Sequence, residues 1–285
     1  MRRETIASAG LVSALVVTGC SSGSHEEPRP QLPQAIARTL PANILQIETD
    51  DIHGNKRPAS AVRVAIGNKT LILTAAHMLN GGAKNCANEN ITQPGVGNTV
   101  YSPTRQTKVR KSSDDAWKGM RWQDAAIIET DTPVPGGNPI ELSTQKPKKG
   151  AKLLMANYQN TSTGEPRDAS EGPALFDATV VGTYKDKIVI VSGDGKSYDK
   201  SQDTIVRPGS SGGAAIVEDR NSPDYGKLAG LSVVEWLGEY SNTSIKSQFG
   251  YEGLQEWSYK VSFLEPTTEA IGRTLAASTI SCDAL

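Results

Sequence analysis

Histidine, cysteine and aromatic residues are scarce in this 285-residue chain, which has three histidines, three cysteines and 5% aromatics. The histidines are scattered and no H-E-x-x-H pattern occurs, which argues against a catalytic metal site. The formal net charge is only −1, and a nucleic-acid partner would require a basic face. What remains is an ordinary globular composition, 37% apolar, long enough to bury one large core or two modest ones.

Long hydrophobic runs are also lacking, and the best candidate lies at the N-terminus. The apolar stretch at residues 6–18 follows two arginines and is too short to span a bilayer as a stable helix. It is typical of an export signal, and its end, V-T-G-C, resembles a bacterial lipobox, where the signal is cut before a lipid-carrying cysteine. We predict a lipoprotein signal peptide at 1–19, lipid on Cys20, a flexible tether at 20–41, and anchoring to the bacterial cell envelope outside the cytoplasm. The alternative is an ordinary signal peptide with an incidental cysteine.

One glycine-rich segment, D-T-I-V-R-P-G-S-S-G-G at residues 203–213, is suited to present a hydroxyl group. Its candidate nucleophile is Ser211, which needs a base to take its proton and donors aimed at the oxyanion that its attack forms. Gly209, Gly212 and Gly213 can adopt strained backbone angles, so that the N–H groups of Gly209 and Ser211 point into one small pocket, an oxyanion hole. Taken alone, the segment could equally be an ordinary loop.

The base and its orienting acid are sought among the few residues of the right type. His25 and His53 lie in polar segments, whereas His77 ends an apolar β-type run, L-I-L-T-A-A-H. Asp124 opens another such run in W-Q-D-A-A-I-I-E. Each has a structural alternative, namely a core histidine and an aspartate that caps a turn.

The order His77, Asp124, Ser211, each beside a strand-like run, is the order of the chymotrypsin-type triad. The motifs T-A-A-H, D-A-A-I and P-G-S-S-G-G resemble those of the trypsin-like peptidase superfamily, over residues 44–263. They are more similar to its bacterial HtrA-like and glutamyl-endopeptidase-like branches than to the digestive enzymes. The resemblance implies an all-β fold of two six-stranded antiparallel β-barrels, chymotrypsin-like, with the active site in the cleft between them.

The strand pattern itself is clear in most of the chain. Alternating apolar residues at 62–66 and a run at 71–76, joined by Gly67-Asn68, predict a hairpin that leads to His77. Further strands are predicted at 44–47, 125–129, 152–158, 178–184, 187–191, 214–218, 228–236 and 257–263.

Two segments rich in glycine and proline, P-G-G-N-P and K-P-K-K-G, interrupt the pattern between residues 136 and 150. We therefore expect an N-terminal barrel at 42–145 and a C-terminal barrel at 146–285. The second unit includes a C-terminal α-helix at 266–277, predicted from its Pro/Thr start and its apolar residues at helical spacing.

The chemistry that the resemblance implies is hydrolysis of peptide bonds by a serine endopeptidase through an acyl-enzyme. Ser211 attacks, His77 carries the proton, Asp124 orients the imidazole, and no cofactor is needed. Two positions depart from the family pattern: Ser210 replaces an aspartate that pairs with a newly cut N-terminus, and A-S-A at 59–61 replaces a glycine-rich G-S-G. The alternatives are a catalytically silent binding or adhesion lipoprotein and an esterase on the same fold.

The resemblance also indicates the substrate pocket for the residue before the cleaved bond. Ile205 stands at the position that floors this pocket, six residues before the nucleophile, and an apolar floor argues against a preference for Arg or Lys. The opposite wall is expected from Ser232, Val233 and Val234. Arg207 either favours acidic substrates or faces solvent, and we expect the second.

Besides Cys20, the chain has two cysteines, Cys86 and Cys282. If Cys20 carries lipid, Cys86 and Cys282 form the only possible disulfide pair, and an exported protein lies where disulfides persist. Two reduced thiols are the alternative. No PDZ-like segment follows the protease-like region, so we expect a monomer that binds a protein or peptide substrate.

Overall fold

The computed structural model describes residues 40–50, 56–75, 78, 90–92, 100–101, 124–128, 134, 136–161, 163–184, 186–192, 206–254, 258–269 and 272. Residues 32–285 make up one compact unit. Within the described ranges, no helix is long and apolar enough to cross a membrane. The predicted signal peptide and residues 20–39 of the predicted tether, together with His77, Ile205 and the three cysteines, lie outside the described residues. The last two tether residues belong to the folded unit, because Leu40 is buried in its core and Pro41 is in the same helical turn.

The described part of the chain is mainly β-structure, as predicted. Its strands are β1 Ile44–Asp50, β2 Lys56–Ile66, β3 Lys69–Thr74, β4 Asn90–Thr92, β5 Val100–Tyr101, β6 Ala126–Ile128, β7 Ile140–Glu141, β8 Lys152–Asn157, β9 Ala174–Tyr184, β10 Lys187–Ser192, β11 Ala214–Val217, β12 Leu228–Ser241 and β13 Ser258–Pro266. Helical structure is found at residues 40–43, in a 3-10 turn at Ala169–Glu171, and in helix α1, Asn242–Phe249.

The first half forms a seven-stranded sheet in the order β5-β4-β1-β2-β3-β6, with β7 pairing with β2. The predicted hairpin is confirmed: β2 and β3 pair from Ile66↔Lys69 to Ala61↔Thr74 around the Gly67-Asn68 turn. The six strands on this path pair antiparallel throughout. The seventh, β7, was not predicted and runs parallel to β2.

The second half is a closed barrel in the order β10-β13-β12-β11-β8-β9, and all its pairings are antiparallel. This confirms the predicted six-stranded barrel. Closure removes unpaired strand edges, which suits strands that are apolar on both faces.

Strand β8 has apolar side chains on both of its faces because each face packs into a different core. Leu153 and Met155 belong to the core cluster inside the barrel, whereas Leu154, Ala156 and Tyr158 belong to a cluster shared with β2 and β3 of the first sheet. Because successive side chains on a strand point to opposite faces, one strand serves both cores. The two sheets are therefore packed against each other through a continuous apolar layer.

Helix α1 was not predicted from the sequence. Ser241 caps its N-terminus by accepting a hydrogen bond from the Ser244 N–H, and Gly250, at φ 62°, ends it. Lys149 Nζ donates to the carbonyl of Phe249 at 2.7 Å. Only Ile245 and Phe249 place apolar side chains in the core cluster that it covers, so its periodic signal is weak.

The predicted C-terminal helix begins later than Pro266, which is the last residue of β13. Thr267 N–H still donates to Ala229 O at 3.1 Å, and a helical bond runs from Gly272 N–H to Thr268 O at 2.8 Å. The strand persists because its neighbour β12 offers a partner at this point. Residues after 272 lie outside the described part.

The segment between the two sheets is fixed by buried polar groups. Asp224 accepts hydrogen bonds from Ser143 Oγ at 2.8 Å and Thr144 N–H at 3.0 Å. Burial opposes ionisation of Asp224, but these bonds and Lys227 hold the pKa of its carboxyl below the usual value. Arg63 is buried, and it donates to Gly137 O in this segment and to Asn43 Oδ1 at 3.1 Å; burial lowers its pKa. The domain boundary at 145/146 stays a prediction.

Candidate active site

Ser211 lies in the second of two consecutive β-turns, residues 207–210 and 210–213. Ser210 N–H donates to Arg207 O at 3.1 Å, and Gly213 N–H donates to Ser210 O at 2.8 Å, so each bond closes a four-residue turn. The third residue of each turn is a glycine with positive φ, 87° at Gly209 and 81° at Gly212, as a type II turn requires. Ser211 is the second residue of the second turn, and it is partly exposed.

The peptide between Pro208 and Gly209 has a fixed orientation. Pro208 C=O accepts a hydrogen bond from Asn160 N–H at 2.7 Å. Because a trans peptide is planar, its N–H points away from its C=O, so Gly209 N–H is directed away from Asn160. Gly209 N–H has no hydrogen-bond acceptor among the described residues. An oxyanion donor, too, must be an N–H that is not already bonded to a protein acceptor.

Ser60 of β2 ties this turn to the first sheet, a role that sequence reasoning missed. Ser60 N–H donates to Ser211 O at 2.8 Å. Its hydroxyl donates to Gly209 O at 3.1 Å and accepts from Tyr158 N–H at 2.8 Å. Ser60 is fully buried, and a buried hydroxyl is expected to have partners. The available signal was a serine between two alanines, A-S-A at residues 59–61.

The glycines after Ser211 are required for close packing as well as for backbone angles. A Cβ on Gly212 would lie 1.9 Å from Ser60 O and 2.3 Å from Thr74 Oγ1, and one on Gly213 would lie 2.3 Å from Asn157 Cβ. Gly212 N–H also donates to Ser232 O at 2.7 Å. The turn is therefore enclosed by β2, β3, β8 and β12.

Asp124 precedes β6 and is buried, with 6% of its surface exposed. Thr74, the last residue of β3, lies opposite Ala126 in the antiparallel β3–β6 ladder. Asp124 is two residues before Ala126 and therefore lies at the end of the sheet where β3 ends. Thr74 in turn approaches Gly212. The described structure thus brings Asp124 and the Ser211 turn to one end of β3, and His77 is three residues beyond Thr74 in the sequence.

The backbone of Asp124 is held by the second barrel. Its N–H donates to Glu265 Oε2 at 2.7 Å, and the same carboxylate pairs with Lys187 Nζ. Burial raises the pKa of the Glu265 carboxyl, and the Lys187 charge and the Asp124 N–H offset only part of this effect. Sequence reasoning gave no sign of this pair.

The pocket residues are only partly described. Ser232 is buried and its Oγ lies 3.2 Å from Ser210 Oγ, whereas Val233 joins the core cluster of Ala75 on the outer face of the barrel. The side chain of Val234 and all of Ile205 lie outside the described part. The substrate pocket stays a prediction.

The expectation that Arg207 faces solvent is wrong. Arg207 is 7% exposed, and its N–H donates to Gln159 Oε1 at 3.0 Å. It is buried because the turn that it opens packs against the end of β8.

Among the described residues, no group of three or more His, Cys, Asp or Glu side chains is placed to hold a metal ion.

No protein-family model matches the chain, and no match is found among curated proteins. The protease Anisep from Arthrobacter nicotinovorans is 15% identical, with a TM-score of 0.51 over 83% of this chain and 96% of its own.

Two further structures are also similar. The Rv3671c protease from M. tuberculosis is 14% identical, with a TM-score of 0.49 over 87% of this chain and 86% of its own. The HtrA-type protease AlgW, solved with a tripeptide, is 15% identical, with a TM-score of 0.47 over 84% of this chain and 60% of its own. The likeness to Anisep confirms the fold, which is chymotrypsin-like.

Proposed function

We propose that the chain is a serine endopeptidase in which Ser211 is the nucleophile, His77 the base and Asp124 the orienting acid. The observation that carries the proposal is the Ser211 turn, in which the Gly209 N–H points away from Asn160 and has no acceptor among the described residues. The convergence of Asp124 on the same end of β3 supports it. The protease fold agrees with this chemistry without establishing it.

The mechanism follows from these positions. Ser211 Oγ attacks the scissile carbonyl while His77 takes its proton, and the peptide N–H groups of Gly209 and Ser211 bind the oxyanion. Collapse of this intermediate breaks the C–N bond, and His77 returns the proton to the leaving amine. Water then hydrolyses the acyl-enzyme by the same two steps. Each oxyanion donor contributes about 3–4 kcal/mol to the transition state.

The location of the enzyme is a second part of the proposal. The signal-like residues 1–19 and the V-T-G-C end support export, lipid on Cys20 and anchoring to the cell envelope. The proline-containing tether at 20–41 then holds the catalytic unit away from the membrane. Acyl chains gain about 0.8 kcal/mol for each buried methylene, so a multiply acylated cysteine is a stable anchor.

Reaction with a fluorophosphonate tests the catalytic proposal. Membrane fractions that contain the full chain are expected to be labelled, and the Ser211→Ala variant is expected not to be. A folded wild-type protein that stays unlabelled would favour the silent binding protein and would end the enzyme proposal. Labelling without cleavage of any member of a peptide library would favour the esterase.

Metabolic labelling with palmitate tests the anchor separately. Incorporation is expected in the wild type and should disappear in Cys20→Ala, with Cys86→Ala as the matched control that retains it. Palmitate that persists in Cys20→Ala contradicts lipidation at this residue, whatever the outcome for catalysis.

A further inference from the structure

A buried ion pair stands beside the predicted acid of the triad. Lys187 and Glu265 occupy β10 and β13, next to the cross-strand pair Ile188↔Leu264, and their side chains are 5% and 4% exposed. Replacing a buried ion pair with apolar residues is often neutral or stabilising. Stability alone therefore gives little reason for this pair.

Besides pairing with Lys187, Glu265 accepts a hydrogen bond from the Asp124 N–H, and this contact explains the position of the ion pair. Asp124 lies just outside the β6 ladder, so its N–H needs an acceptor other than a neighbouring strand. Glu265 Oε2 supplies that acceptor at 2.7 Å, although the two residues are 141 positions apart and belong to different sheets. The bond therefore fixes the residue of the first sheet against the barrel that carries Ser211.

The lysine has an electrostatic part in this arrangement. An unpaired Glu265 carboxylate would place a second negative charge near the Asp124 carboxylate, and burial already raises the pKa of Glu265. Lys187 neutralises it without removing the oxygen that accepts the Asp124 N–H. Lys187 and Asp124 are the charged groups that act on Glu265 in the described structure.

We propose that Glu265 is a positioning residue, with Lys187 as its counter-ion: it holds the Asp124 backbone so that the carboxylate stays directed at His77. The inference rests on the proposed function. Neither residue touches the substrate, so both act through Asp124.

Two charge-neutral double variants test this. Lys187→Met with Glu265→Gln keeps an oxygen for the Asp124 N–H, whereas Lys187→Met with Glu265→Met fills a similar volume without one. The first should retain fluorophosphonate labelling within a few-fold of wild type. The second should lose on the order of 100-fold, the effect of a misplacement of about 1 Å in a catalytic group.

The pH profile separates positioning from general stability. Contact with a carboxylate raises the pKa of a histidine, so a misplaced Asp124 lowers it and moves the rising limb of labelling to lower pH in the Met/Met variant only. Each double variant leaves one kind of buried donor without its acceptor, the amide N–H₂ of residue 265 in Met/Gln and the Asp124 N–H in Met/Met, so both should lose stability to a similar extent. Only the Met/Met variant should also lose labelling.

The matched control is Asp224→Asn, another buried carboxylate, whose hydrogen bonds come from Ser143 and Thr144 and not from Asp124 or the Ser211 turn. It should lower stability without moving the pH profile. If both double variants are labelled like wild type, or if labelling follows stability in all three, the positioning role is wrong and the proposed function stands. If folded wild type is itself unlabelled, the proposed function and this inference both fail.

Discussion

Gly209 and Gly212 have nearly the same backbone conformation, with φ 87° and 81°, but their surroundings differ. Gly212 N–H is bonded to Ser232 O, and its Cα faces Ser60 O and Thr74 Oγ1 so closely that no Cβ fits. Gly209 has no acceptor for its N–H among the described residues, and a Cβ there would meet Tyr158 O at 3.1 Å.

The difference separates two requirements within one sequence motif. Gly212 is needed for packing, because two sheets meet at its Cα, whereas the oxyanion role proposed for Gly209 requires a peptide N–H in a defined direction. Substitution should therefore damage packing at one position and chemistry at the other.

The largest effect is expected for Gly212→Ala. Its Cβ would overlap Ser60 O, so the turn must move away from β2, and crowding added to backbone strain costs about 3–5 kcal/mol. Chemical denaturation should show this loss, with fluorophosphonate labelling largely abolished. An unfolding free energy close to wild type would contradict the packing role.

A smaller loss of stability is expected for Gly209→Ala. The positive φ costs about 1–3 kcal/mol in a non-glycine residue, and the contacts at 3.1–3.3 Å require only a small shift. Labelling should nevertheless fall about 100-fold, because a displaced oxyanion donor contributes less. Rates are compared per folded molecule, and a proportional fall in stability and labelling would remove the distinction from Gly212.

Ser60→Ala tests the surroundings of Gly209 separately from those of Gly212, because Ser60 contacts Gly209 through its hydroxyl and Gly212 through its carbonyl oxygen. It removes the hydroxyl that contacts Gly209 O and Tyr158 N–H but keeps the carbonyl that faces Gly212. We expect a stability loss of about 1–2 kcal/mol and a labelling loss smaller than that of Gly209→Ala. Unchanged labelling would show that Asn160 alone holds the Gly209 peptide.

The smallest effect is expected for Gly67→Ala, the control for backbone strain. Gly67 has φ 62° in the β2–β3 turn, and a Cβ there would have nothing within 4 Å. The strain of a left-handed residue alone costs about 1–2 kcal/mol. Labelling of the folded protein should match wild type, and a fall would indicate that strain in this hairpin reaches the site.

Much of the strand pattern was predictable. The apolar alternation before Gly67 and the run after it define β2 and β3, and every predicted strand is present in the described residues. β12 extends beyond its predicted end because its partner strand continues opposite less apolar residues, as at Tyr240↔Tyr259. β9 begins before its predicted start, where residues 174–177 pair with β8. Helix α1 and the burial of Arg207 were missed, because each depends on neighbours distant in the sequence.

The sequence by itself determined the candidate residues, since a strand-end aspartate and a serine in P-G-S-S-G-G are local patterns whose chemistry depends on residue type. Only the tertiary structure decided what holds them. Ser60 and Glu265 contact Ser211 and Asp124 across 151 and 141 positions of chain, and no local pattern encodes such a contact. The physical reason is that a buried N–H or C=O must find a partner wherever the packed sheets supply one.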